Sequence, residues 1–428
     1  MRVNPTCFFV LLIFCVQQVF CQITAVSPYS LYGVGELSAK QPTMSKGMGG
    51  AKYALVGENV LNMVNPANLT NVNTPIFNLE ISVNATSIPI VSYANSSAFF
   101  NQAAIALPIN KKYWSSILGI SPRSKTGYSF KTNESFTDLG NVNYTYSGKG
   151  GIDEIYFGNG FNLIKDSVNQ LSVGVTVSYL FGSIDRTKLI EPTSGLKTSF
   201  KDRIELRGYE YEFGFLYQRK VSKNSSIAFG GNYRPSISLK ENYYQLTQSF
   251  TGNMPFHSIK DTIFSDTING NRTDFPQKYG AGIAYYFSDK LIVTADYSSE
   301  AWSAFNLASK KETYNDRTNF GIGFQYIPNQ NALRGLFKRM QYRTGFRYTQ
   351  SHLNINGINL NEYGITFGLG IPISTKSKSA TVFNISYEYG QRGKNTGLTY
   401  KETLSTFNFG FILTPGRFDR WFVKPKID

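Results

Sequence analysis

The chain has 428 residues, 43 Lys and Arg against 28 Asp and Glu, a net charge of +15, and an aromatic share of 15% carried by 33 Phe and 28 Tyr. Glycine is plentiful at 38, and nothing after the leader reaches the roughly 18 consecutive apolar residues of a membrane-spanning helix. This composition points to strands and excludes a helical membrane protein. The positive charge does not point to nucleic acid, because the cations are scattered over turns and the leader exports the chain.

Residues 1–21 read as a signal peptide. Arg2 gives the positive start, Cys7 to Val16 the apolar core, and Val19 and Cys21 a cleavage site before Gln22. Cys7, Cys15 and Cys21 leave with it, so the mature chain is expected to carry no disulfide and no thiol chemistry. Residues 22–74 come next, with SPYSLYGVGELSAKQPT followed by KGMGGAKYALVGENVLNMVNPANLT. Glycines, methionines and aliphatics crowd this second stretch without strand alternation. Leu55, Val56, Val60, Leu61 and Val64 fit helical spacing loosely, which predicts one or two short helices over 48–64. Asn65-Pro66-Ala67 closes the stretch, since Pro66 donates no ladder hydrogen bond and holds Asn65 extended.

From residue 75 the period changes to two. Phe77, Leu79, Ile81 and Val83 alternate with polar residues, and Leu171 through Phe181 do so against Ser172, Gly174, Thr176 and Ser178. Further runs follow at 213–217, 291–297, 320–326, 365–371 and 407–413. Apolar residues on one face, often ending in Tyr or Phe, with small or polar residues on the other, are what an outer-membrane barrel requires. Short basic turns are expected at 110–112, 165–169, 220–224, 288–290 and 374–378, with a longer one at 329–339. Long polar links at 124–149, 186–200 and 243–274 read as extracellular loops. The alternation predicts an all-β fold, a transmembrane antiparallel β-barrel of about 14 strands over 75–413. Residues 22–74 serve as its N-terminal hatch in the lumen, and 414–428 form a periplasmic tail with Trp421 and Phe422 at the interface.

The excess positive charge concentrates in the turns and tail. Lys111, Lys112, Lys220, Lys223, Lys376 and Lys378 form a periplasmic basic rim that either meets lipid head groups or docks an acidic protein partner. Chemistry-bearing motifs are sparse. His257 and His352 are placed in extracellular loops, without the spacing of a metal site. Ser351-His352 lacks the GxSxG elbow, and SGKGG lacks the remainder of a phosphate loop. An enzyme, a metal and a cofactor are therefore not expected. Asp153 and Glu154 are expected to face lumen arginines among Arg203, Arg207, Arg343 and Arg347 and to brace the wall.

The stretch GMGGAKYALVGENVLNMVNPANLT, lying between a leader and the first strand, resembles the hatch of the FadL-type outer-membrane transporters of hydrophobic compounds. The shared features are Gly47, Gly49 and Gly50 and the box Asn65, Pro66, Ala67. SPYSLYGVGEL and RWFVKPKID are similar to a Bacteroidetes-type branch, which is also similar to barrels serving protein secretion. The resemblance implies passive uptake of long-chain fatty acid-like molecules across the outer membrane of a Gram-negative bacterium. The ligand would be held by Met44, Met48, Leu55, Val56, Leu61 and Met63, with Lys46 and Lys52 as candidates for a carboxylate. It would then leave past the hatch or through a kinked wall, amid outer-membrane lipid and lipopolysaccharide. The other expectation is an accessory barrel that transports nothing, its lumen sealed by the hatch, binding partner proteins in secretion or envelope assembly.

Overall fold

The computed structural model describes residues 27–57, 61–91, 93–137, 140–253, 256–307, 309, 312–332, 334–355, 357–373, 381–397 and 399–414. The leader, Lys376, Lys378, Trp421 and Phe422 lie outside the described residues.

The strands in chain order are β1 (Glu36–Leu37), β2 (Ile76–Ile88), β3 (Tyr93–Asn110), β4 (Trp114–Phe136), β5 (Gly140–Lys165), β6 (Asn169–Pro192) and β7 (Lys197–Ser222). They continue as β8 (Ser225–Arg234), β9 (Ile237–Asn253), β10 (Phe256–Phe275), β11 (Lys278–Phe287), β12 (Leu291–Glu300) and β13 (Arg317–Tyr326). The last are β14 (Gln341–Gln350), β15 (Asn354–Ile355), β16 (Ile358–Asn359), β17 (Glu362–Pro372), β18 (Val382–Arg392) and β19 (Glu402–Leu413). Two single-turn helices, α1 (Thr43–Lys46) and α2 (Leu336–Arg339), and short 3-10 turns complete the described chain.

Antiparallel pairing runs from β2 round to β19, and β19 pairs back onto β2, with Phe407 opposite Val83. Closure satisfies the ladder without leaving sheet edges in lipid. The hydrogen-bonded sheet counts 17 strands, but β1 belongs to the interior, and β8–β9 and β10–β11 are each one crossing with a break. The wall is thus a closed barrel of 14 crossings. Both breaks sit at prolines, Pro235 and Pro276, which cannot donate to a ladder. They lie at one height, because Arg234 pairs with Lys278 below the break and Ile237 with Phe275 above it.

The alternation is inside out relative to a soluble sandwich. Phe213 and Phe215 are 47% and 45% exposed, whereas Ser172, Thr176, Ser178, Glu210 and Glu212 are buried. Apolar side chains on the outer surface belong in lipid, and the polar ones line a lumen.

The three long polar links are not loops. Residues 124–149, 186–200 and 243–274 largely continue the strands, so that β5 and β7 reach 26 residues each. A crossing needs only about 9–11. Six strands therefore stand above the membrane on one side of the mouth, while β12–β14 and β17–β19 stop at 10–12 residues. Polar composition misled the loop expectation, because a strand with water on both sides needs no apolar face. His257 accordingly sits in β10 and not in a loop.

The described residues of 27–72 lie inside the wall and descend from the extracellular mouth. Ser27 donates to Glu402 at the outer end of β19 (2.7 Å), and Asn65 Nδ2 donates to Phe215 O lower on β7 (3.0 Å). Among the described residues of 48–64 no helix forms; Val60 lies outside them. The segment has a 3-10 turn, Pro28–Leu31, and the helical turn α1 before that range and a 3-10 turn, Pro66–Asn71, after it. Its backbone bonds instead to the wall, with Tyr53 N on Asp296 Oδ2 (2.8 Å) and Gly49 N on Thr366 Oγ1 (2.9 Å).

Candidate functional site

The wall receives the N-terminal segment on a track of glycines. A Cβ on Gly230 would stand 2.5 Å from the Tyr53 carbonyl carbon, and one on Gly174 2.5 Å from Ala67 N. On Gly321 it would stand 2.5 Å from Gly49 O, all well inside van der Waals contact. Gly323 and Gly345 face the backbone of Met48 and Gly49 in the same way, and Gly280 makes room for the Tyr53 ring. These close approaches require that the wall carry no side chain there, so segment and wall meet backbone to backbone. Gly49 and Gly50 take φ of 64° and 77°, a left-handed turn that other residues resist. Asn65 caps the following turn, its Oδ1 accepting from Ala67 N at 3.1 Å and its Nδ2 donating to Tyr53 O at 2.8 Å. Gly49 and Gly50 thus turn the segment, Asn65 caps the turn that carries Pro66 and Ala67, and Gly47 lies close against Gly368 of the wall.

The six apolar candidates sort with this packing. Met48, Leu55 and Leu61 are at most 1% exposed, and Met44 and Met63 at most 5%. Met44, Met48 and Leu55 form one cluster, and Leu61 and Met63 join Leu69, Ile76 and Ile117 of the wall. Val56 packs beside Ala54, Ala67 and Leu216. All face neighbours and none lines the chamber described next.

A second apolar mass closes the extracellular mouth. The turn Trp302–Ala304 and the segment around Leu353 fold inward onto Tyr29 and Val34, joining Leu206, Leu239 and Phe275. Trp302 is fully buried, and the His352 ring lies 4.5 Å from it. Burial among these rings and the charge of Arg317 push the His352 pKa down to about 3, leaving a neutral imidazole. Ser351 Oγ accepts from Leu353 N at 3.1 Å and is committed to that turn.

Between the two apolar masses lies a chamber of about 260 Å³ lined by charge, including Lys46, Lys52, Arg123, Lys278, Glu300 and Arg347. Most of its ions are paired. Lys40 of the segment meets Glu154 at 3.0 Å and Glu212 at 3.6 Å. Glu210 meets Arg123 and Arg234 at 3.6 and 3.4 Å, and Glu300 meets Lys278, Arg317 and Arg234 at 3.2, 3.6 and 3.8 Å. Arg347 bonds both Glu362 and Glu388. Buried charges of one sign would be prohibitive, and this arrangement neutralises them by direct contact. Lys46 donates to Asn408 Oδ1 at 3.0 Å, and Lys52 Nζ lies over the Tyr53 ring.

Of the expected bracing pairs, Glu154 faces inward and pairs with Lys40, not with an arginine. Asp153 shares its face with Pro122 and Phe181 on the outside, while Arg203 and Arg207 also face outward. Arg343 and Arg347 do point into the lumen. Sequence reasoning did not find Lys40, Glu210, Glu212 or Glu300. The signal for the three glutamates was a charge on the polar face of an alternating strand, as in YEYEF at 209–213; Lys40, outside any strand, offered none.

The wall has one flaw at this level. β3 pairs with β4 only from Ala103 opposite Ile120 down to Asn110 opposite Trp114. Above it, Asn101 bulges out of the β2–β3 ladder and Arg123 out of β4–β5 beside Pro122, so the strands part. The freed β4 edge is taken by the N-terminal segment. Glu36 and Leu37 pair with Lys125 and Ser124, Ser38 N donates to Arg123 O at 3.0 Å, and Ser27 N to Gly127 O at 3.3 Å. Lys125 reaches across to Phe100 O at 3.4 Å. The chamber extends to Phe99 and Asn101 at this gap.

Lys111, Lys112, Lys220 and Lys223 all sit exposed at the short-turn end of the barrel.

A family model described as BamG matches residues 4–428. No curated protein sequence matches the chain. Among solved structures, the Pseudomonas putida toluene transporter TodX aligns at a TM-score of 0.60 and 15% identity, covering 89% of this chain and 100% of that one. The CymD monoaromatic hydrocarbon channel aligns at 0.56 and 14%, covering 90% and 99%. A Pseudomonas aeruginosa FadL homologue aligns at 0.54 and 12%, covering 88% and 98%. At these identities the likeness shows the fold, a FadL-type barrel; it does not establish what the interior does.

Proposed function

The chain belongs to the BamG family, and from that premise we propose that it is an accessory outer-membrane barrel that transports nothing and binds partner proteins in secretion or envelope assembly. The observation that carries this reading is the interior. The described part of the hatch, within residues 27–72, is seated closely on wall glycines, and the space left over is lined largely by paired charges. A hydrophobic solute gains about 25 cal/mol per Å² from apolar contact and gains little from ion pairs it cannot join. The residues that could have offered such contact are spent on packing the hatch. What remains available to partners is surface: six strands standing clear of the membrane outside, and the basic rim of Lys111, Lys112, Lys220 and Lys223 on the periplasmic side, to which the sequence adds Lys376 and Lys378. The role is that of a non-enzyme, and the chain's opening and ending fit the Bacteroidetes-type branch of such barrels.

The test is cross-linking of the tagged chain in native membranes, followed by mass spectrometry. Stable protein neighbours that are lost when the six rim lysines are changed to Glu, or when the β9–β10 hairpin is shortened, support the reading. A chain recovered without protein neighbours, in cells that take up a hydrophobic tracer only when it is present, overturns it.

A specific observation keeps a second reading, passive uptake of long-chain fatty acid-like molecules. The β3–β4 gap opens the wall onto the chamber, and the hatch segment and the Lys125 side chain fill it. In that reading Lys46 and Lys52 receive a carboxylate, and movement of Glu36–Ser38 off β4 opens a path to the membrane.

A further inference from the structure

Two features of the outer surface lie one above the other on the same strands. The upper one is a row of cations. Arg207 of β7 pairs directly with Lys240 of β9, and Lys240 with Arg272 of β10. All three are exposed and face outward, since their neighbours Leu206, Leu239 and Thr273 are the buried, inward-facing residues. Like charges placed directly opposite destabilise a sheet. The nearby acids do not relieve them. Glu205 and Asp185 are engaged by Arg203 at 3.0 and 3.8 Å, and Asp274 stands two residues along from Arg272. Among the described residues, no carboxylate lies within ion-pair distance of Arg207, Lys240 or Arg272.

The lower feature is an apolar cup of about 420 Å³ on the outer wall. Its floor is the outward-facing pair Gly231 and Ala281, opposite each other on β8 and β11. Phe215, Tyr233, Tyr279 and Tyr297 stand around it, with the Tyr233 and Tyr279 rings stacked at 4.9 Å. Phe215 shares its row with Gly231, and Arg207 lies eight residues further up the same strand. At ~3.3 Å per residue and a tilt near 40°, that is about 20 Å of height. The hydrocarbon of one leaflet is about 15 Å thick. With the cations at the level of outer-leaflet head groups, a cup this far below them lies in the hydrocarbon.

We propose that this face is a binding site for a phosphorylated glycolipid of the outer leaflet, with phosphate on Arg207, Lys240 and Arg272 and an acyl chain in the Gly231–Ala281 cup. Phosphate supplies the negative charge the row lacks, and Arg offers the planar fork that suits it. The small floor admits a chain that a side chain would exclude. The inference rests on the outer wall alone and holds under either reading of the lumen.

The full chain is placed in phosphatidylcholine nanodiscs containing a small fraction of diphosphoryl lipid A, and retained lipid is counted by native mass spectrometry. Lipid A is expected to be retained at least tenfold over its bulk fraction. R207Q/K240Q/R272Q is expected to abolish that enrichment, R207K/R272K to keep most of it, and G231F to lower it several-fold. K220Q/K223Q, at the opposite rim, is expected to change nothing. Folding of each variant is read from heat-modifiable gel mobility. Enrichment unchanged in the folded triple Gln variant overturns the headgroup site, and so does an equal loss in K220Q/K223Q. Enrichment unchanged in folded G231F overturns the cup. Displacement of lipid A by millimolar inorganic phosphate also overturns it, because the chain would then contribute nothing to retention.

Discussion

Gly230→Ala isolates the seating of the hatch from every other property of the barrel. The added methyl would stand 2.5 Å from the Tyr53 carbonyl carbon and 3.0 Å from Ala54 Cα. Ordinary contact begins near 3.4 Å, and both partners are backbone, so no rotamer change relieves the overlap. The segment must shift by about 1 Å, a displacement that a close-packed interior transmits and does not absorb. Two hydrogen bonds flank the collision, Tyr53 N to Asp296 Oδ2 and Asn65 Nδ2 to Tyr53 O, each 2.8 Å. Losing one bond to a charged acceptor and one neutral bond costs about 2–4 kcal/mol. Every 1.4 kcal/mol is a factor of ten, so local opening becomes about 30- to 700-fold more frequent. Hydrogen exchange of the peptide covering residues 50–57, in nanodiscs, reads this directly. Gly231→Ala is the control, because its methyl points outward and meets nothing closer than the edge of the Phe215 ring at 3.3 Å and Gly280 O at 3.5 Å. Exchange in Gly230→Ala equal to that in the parent chain would refute the backbone-to-backbone seating.

Glu300→Gln leaves Lys278, Arg234 and Arg317 around a neutral group and is expected to cost about 3–5 kcal/mol, seen as a lower midpoint of heat modifiability. The extracellular cap should weaken in acid. The folded His352 pKa is depressed to about 3, so its contribution is complete above the unfolded value near 6.5 and is lost as pH falls towards 3. Limited proteolysis around residues 301–316 and 351–361 should therefore quicken between pH 7 and pH 4, and His352→Phe should remove that dependence. Leu37→Cys with Ser124→Cys, at paired positions, should oxidise to a disulfide that holds β1 on β4. Under the accessory reading partner recovery is the same oxidised or reduced, whereas uptake that stops on oxidation would favour transport.

The wall was legible because the barrel's rule is local. Leu171 to Phe181 alternates whatever surrounds it, and short basic turns such as Lys220–Asn224 mark one rim. The position of the Asn65-Pro66-Ala67 box was legible for the same reason, since proline states its constraint in the sequence itself. The extensions at 124–149, 186–200 and 243–274 were not, because they lack the apolar face that reveals a strand in lipid. The track was visible only in part. Glycines in FGNGF, YGAGI and FGIGF read as small lumen residues, and nothing local says that Tyr53 or Met48 will press against them. Lumen ion pairs such as Lys40–Glu154 depend on a segment threaded 114 residues away in sequence. The β3–β4 gap follows from Pro122 and two bulges acting together, and only the fold brings these into one place.

The most direct test of the sealed interior is a high-resolution map of the full chain in native-lipid nanodiscs, prepared without detergent. The account predicts hatch density continuous from residue 27 to 72, a chamber holding only water-sized peaks among its ion pairs, and protein density at the rim or the tall strands. An elongated apolar density in the chamber, running out between β3 and β4, would contradict it.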